Sequence, residues 1–155
     1  MKNIVARVRT VSPKFTKEQI ALLTRHRALS YLIAADQIDP PVAMLEPKYF
    51  LYCHAIELML KAYLLVNGHS EKDCKSISHD LERGLREAKV HGLLLSNIDE
   101  SIIGSLSREH NRPFAFRYFT GDGWAAPSFE NVSNCTQNLM RGAQGPVFLA
   151  NRIIP

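Results

Sequence analysis

His54, Glu57 and Lys61 stand three and four residues apart inside HAIELMLKAYLLVNG, residues 54–68, a run that is otherwise almost wholly apolar. On a helix those intervals put all three on one face. An imidazole and a carboxylate so placed could begin a metal site, and a carboxylate beside an ammonium could share charge. A catalytic zinc needs a third protein ligand, and nothing in the chain stands at motif spacing to supply one, so no metal and no cofactor are expected. A pair on the solvent edge would contribute only about 0.3–0.5 kcal/mol. The sharper expectation is a structural polar stripe of His54, Glu57, Lys61 and His79 facing a neighbouring helix or subunit. Ionised groups there need partners, and His79, Arg83 and Arg86 share a face downstream.

Other suggestive combinations have simpler explanations. Ser78-His79-Asp80 contains the residue types of a catalytic triad, but adjacent helical residues diverge and Ser78 reads as a helix cap. TGDG at 120–123 lacks the lysine and flanking strand of a phosphate-binding loop. Trp124, Phe114, Phe116, Tyr118 and Phe119 could stack bases, although such aromatics more often anchor cores and loops.

The elements that must position these residues read as helices. Residues 4–11, IVARVRTV, form a short strand or extended arm that Ser12-Pro13 ends. Thr16 and Gln19 make a capping-box start, and Ile20, Leu23, Ala28, Leu29, Leu32 and Ile33 keep helical spacing to near Asp39. A second helix starts near Leu45 or Pro47 and runs to Val66 or Asn67, with Gly68 placed for a left-handed cap. SEKDCKSIS, 70–78, reads as a polar connection. Ser78 then caps a third helix, HDLERGLREAKV, ended by Gly92, with Leu81, Leu85 and Ala88 facing the core. A fourth runs from about Asn97 to Pro113, and a fifth from Pro127 through Met140, closed by RGAQGP. The tail VFLANRII needs a cover: its own core, the arm, or a second subunit. The expectation is an all-α, up-and-down bundle of four to five helices in one domain, with arm 1–15, bundle 16–142 and tail 143–155.

Composition agrees with a single domain: 155 residues, 46% hydrophobic and 22% charged. MKNIVARVRT has no apolar run after its basic residues, so a cytoplasmic location is expected. Residues 49–66 approach the length of a membrane span, but His54, Glu57 and Lys61 fall at the centre, which favours a buried helix over a membrane. Cys53, Cys74 and Cys135 are widely spaced and odd in number, which fits reduced thiols. The net charge of +4 is uneven, since residues 1–30 hold seven Lys and Arg against Glu18 alone. Such a basic end attracts nucleic acid or an acidic partner, or simply meets water.

The chain resembles the HEPN domain family of small helical bundles over roughly residues 45–120. The resemblance rests on the Ala55-x-Glu57-x-x-x-Lys61-Ala62 run in an apolar helix, Gly68 after it, His79-Asp80-Leu81 next, and Arg117-Tyr118 beyond a further helix. It implies a four- or five-helix bundle, frequent homodimers, and nucleotide or RNA binding, often in toxin–antitoxin or defence systems with a nucleotidyltransferase-like antitoxin partner. Nuclease members of the family carry a late Arg followed four to six residues on by His. Here Arg108 and His110 are two apart, and no His follows Arg112 or Arg117. Arg86 and His91 have the spacing, but at about 100° per residue they diverge by some 140° on a helix.

Two functions follow. The first is a non-catalytic module that binds nucleotide, RNA or a protein partner through Arg83, Arg86, Arg108, His110, Arg112, Arg117 and Tyr118. The alternative is a divergent, metal-independent ribonuclease in which His110 or His91 acts as acid or base beside an arginine. The missing late pair favours the first.

Overall fold

The computed structural model describes residues 14–39, 45–111 and 125–151. Residues 1–13 of the expected arm, Arg112, the FRYF stretch with Arg117 and Tyr118, the loop aromatics and the last four residues lie outside them. The described residues form six helices and no strand: α1 Lys17–Gln37, α2 Glu46–Val66, α3 Glu71–Ile77, α4 Leu81–Val90, α5 Asn97–Asn111 and α6 Phe129–Asn151. The fold is all-α, with more helices than the four to five expected.

α1 starts where its capping box says it should. Thr16 Oγ1 accepts the Gln19 N–H at 3.2 Å, and the Thr16 N–H donates back to Gln19 Oε1 at 2.9 Å. Its core face keeps part of the expected spacing and departs from the rest. Ala28 and Leu32 are buried, with Ala21 and Ala35 beside them, whereas Leu23, Leu29 and Ile33 are exposed. Alanines at seven-residue intervals let α1 lie close along α2, and close approach wins over burial of the larger side chains. Lys48 Nζ donates to Ile38 O at 2.8 Å and Tyr52 OH to Asp36 Oδ1 at 2.7 Å, so the end of α1 meets the start of α2 and the pair is antiparallel.

α2 is the centre of the molecule, packing against α1, α3, α4, α5 and α6. It is long and apolar enough to span a membrane by composition, but here that apolarity serves the core, with Tyr52, Cys53, Ala55, Ile56, Met59, Leu60 and Leu64 buried. It ends at Gly68, whose φ of 106° allows the His69 N–H to reach back to Leu64 O at 3.0 Å. α4 repeats the device at Gly92, with φ 90° and the Leu93 N–H on Ala88 O at 3.2 Å.

Three expectations need correction. The polar connection contains α3, whose capping box joins Ser70 and Asp73 and which buries Cys74 and Ile77. Ser78 does not cap α4: it takes a positive φ of 56°, and Asp80 Oδ1 accepts the Arg83 N–H at 2.9 Å instead. α6 does not stop at Met140 but continues through Pro146 to Asn151. Ala143 and Val147 are fully buried, so tertiary packing carries the helix past a proline that would end an isolated one. The start of the expected tail is therefore helix covered by the chain's own core. Across α5 and α6, Asn138 Nδ2 donates to Asp99 Oδ2 at 3.1 Å, and Cys135 Sγ to Asp99 O at 3.5 Å. All three cysteines are free and buried, and burial pushes their thiols up, Cys135 to about 12, so they are poor nucleophiles.

Candidate functional site

Glu57 is 6% exposed and collects basic side chains from three parts of the chain. α2 supplies His54 and Lys61 from its own face. The turn between α3 and α4 supplies His79, and α5 supplies His110 across the bundle. Lys61 Nζ donates to Glu57 Oε1 at 2.6 Å. The other oxygen, Oε2, lies 3.0 Å from His79 Nδ1, 3.2 Å from His110 Nε2 and 3.8 Å from His54 Nδ1. The first two are hydrogen bonds; His54 is too far for one and acts through charge when protonated. An ionised carboxylate only accepts, so the facing nitrogens of His79 and His110 carry hydrogen.

The backbone at Ser78 serves this cluster. Its positive φ turns the Ser78 carbonyl to accept a second bond from Lys61 Nζ at 2.9 Å, and the next residue is His79. A serine in that conformation is strained by roughly 1–3 kcal/mol, which the surrounding contacts hold in place. Aromatic faces complete the enclosure. The His54 ring meets Tyr31 edge-on at 4.4 Å and stacks on Phe50 at 5.8 Å, while His79 and His110 meet edge-to-face at 5.6 Å.

Burial by itself would raise the Glu57 pKa. The donors from His110, Lys61 and His79, with His54 beside them, overcome that cost and hold the carboxyl well below the usual range. The carboxylate is thus ionised and fully partnered. The pair that spacing could only suggest, Glu57 with Lys61, is the core of a five-residue network. Two of its members come from 22 and 53 residues away, distances at which no motif rule operates.

His110 has a side chain only 1% exposed, committed to Glu57. Arg108, two residues earlier, is exposed and rests on Ser105 Oγ at 3.3 Å. The two therefore point to different environments. Arg86 is exposed on α4. Arg83 is engaged within the chain, donating through Nε to Glu87 Oε1 at 2.9 Å and through Nη1 to Ser76 O at 3.1 Å. Arg83 and Glu87 line an open groove of about 420 Å³ with Asn67, His69, Ser76 and His91. There His69 Nε2 lies 3.0 Å from Glu87 Oε2, and the His69 and His91 rings meet edge-to-face at 5.2 Å. The sequence reading missed His69 and Glu87. Their only local signal was the Arg83 to Glu87 interval of four. Of the metal-ligating types, Glu57, His79 and His110 converge, with one donor atom from each lying within 4.8 Å of the others.

Compared with protein-family models, curated proteins and solved structures, the chain matches none at a significant level.

Proposed function

We propose that the chain is a non-catalytic, HEPN-like module that binds RNA or nucleotide phosphates through exposed arginines. The observation that carries this reading is the state of His110. The one histidine near an arginine on the late helix of the resemblance is buried against Glu57, while Arg86 and Arg108 reach solvent. A proton-transfer group must reach its substrate, whereas a phosphate-binding group needs only charge and exposure. The net charge of +4 supports the same reading. The cytoplasm, a homodimer and a nucleotidyltransferase-like antitoxin partner belong to this proposal, as the setting in which such modules work.

The test is a labelled single-stranded RNA titrated at several salt concentrations with chelator present. Binding that weakens as salt rises, with the strand intact, is the expected result. Substituting Arg86→Ala and Arg108→Ala together lowers the magnitude of the log–log salt slope by about 1.4, two contacts at about 0.7 each for a single strand. Cleavage that His91→Ala or His110→Ala abolishes would instead establish the ribonuclease. Absence of binding even at low salt removes both and leaves a protein-interaction module.

A further inference from the structure

We propose that Glu57, His79 and His110 form a binding site for one divalent transition metal ion of the zinc class. The donor set is a carboxylate oxygen and two imidazole nitrogens, held on three different parts of the fold. Zinc binds such atoms at roughly 2.0–2.2 Å, which puts tetrahedral neighbours about 3.4 Å apart. The spacings present lie close to that value: Glu57 Oε2 stands 3.0 and 3.2 Å from the two nitrogens, and one donor atom of each residue lies within 4.8 Å of the others. Shifts well below a side-chain rotamer change bring them onto one ion.

The surroundings are those of a metal-ligand cage. Lys61 and the Ser78 carbonyl lie behind the carboxylate, with Lys61 Nζ fixing Oε1 so that Oε2 stays turned to the histidines. Ser78 holds a positive φ immediately before His79. His79 has a side chain 42% exposed, which opens one side of the cluster to solvent. Through that side an ion can enter, and a water can take the fourth position that three protein ligands leave. With Lys61 balancing Glu57, the cluster has no formal excess of negative charge. It is therefore suited to imidazole-preferring ions and not to magnesium or calcium, which need several anionic oxygens.

In the metal-free cluster the facing ring nitrogens carry hydrogen toward Oε2. An ion needs their lone pairs, so binding moves or releases those protons, and affinity falls as pH falls.

The test uses chelator-stripped full-length protein titrated with zinc by calorimetry and with cobalt(II) by visible absorption, without nucleic acid, so that its outcome is independent of RNA binding. One saturating equivalent is expected, with the intense absorption of a tetrahedral cobalt site. His79→Ala, at a half-exposed position that leaves the fold intact, is expected to weaken binding by at least about 100-fold, beyond the roughly 10–100-fold that an outer partner costs. His91→Ala, in the separate groove, leaves it unchanged. Absence of saturable binding, or binding that survives His79→Ala or is lost with His91→Ala, would overturn the proposal.

Discussion

Glu57→Ala is expected to lower the stability of the fold by roughly 3 kcal/mol or more, read as a shift of the urea midpoint with an unchanged slope. The size follows from what the substitution leaves behind. Lys61 is 18% exposed and gives two hydrogen bonds, to Glu57 Oε1 and Ser78 O; His110 is almost wholly enclosed. Without the carboxylate the Lys61 ammonium and the enclosed His110 donor lose the anion between them, while His79 keeps its access to water. Glu57→Gln keeps an acceptor of the same shape and costs less, which separates lost charge from lost volume. Lys61→Met, removing the member of the ion pair nearer to solvent, costs less than Glu57→Ala because His79 and His110 still donate to the carboxylate. A midpoint for Glu57→Ala within about 1 kcal/mol of wild type would mean that Glu57 and Lys61 behave as an exposed pair.

Ile56→Ala, at the residue before Glu57 and about 100° round α2 from it, is expected to cost roughly 2–5 kcal/mol. Ile56 has no exposed surface and belongs to the largest fully buried side chains, on the helix that every other helix packs against. Truncation removes its transfer free energy and leaves a cavity in a closely packed core. The control is Leu94→Ala at a site 84% exposed, which changes stability by no more than about 0.5 kcal/mol. Equal effects at the two sites would mean that α2 is not the centre of the core.

What was legible in the sequence was whatever a few neighbouring residues encode. The Thr16 and Gln19 box, the glycines at 68 and 92, and the span of α2 each depend on contacts within one turn, and each stands where local chemistry puts it. Features decided by tertiary packing were not legible. In α1 both an alanine face and a leucine face have helical spacing, and only the proximity of α2 selects the alanines. Ser78 and Asp80 are equally good caps by type, and the demand of Lys61 for a carbonyl turns Ser78 away from that role. Seven residues are too few to show a period, which hid α3. Gly145-Pro146 signals a stop that burial of Val147 overrides. The site divides in the same way. His54, Glu57 and Lys61 announce themselves by spacing on one helix and His79 by the polar face it opens downstream, whereas His110 reaches the same carboxylate only once α5 has docked on α2.

The central claim is that Glu57 is an ionised, buried hub whose partners hold its pKa far below that of a free glutamate. Its stabilising contribution is therefore present above the ordinary value of 4.5 and is lost as pH falls through the lower folded value. The most direct measurement is the side-chain carboxyl carbon shift of Glu57 by nuclear magnetic resonance, followed downward in pH and assigned with Glu57→Gln. The structure predicts a carboxylate shift that stays constant through pH 4.5 and changes only with acid unfolding. A midpoint at or above 4.5 in the folded protein would contradict it.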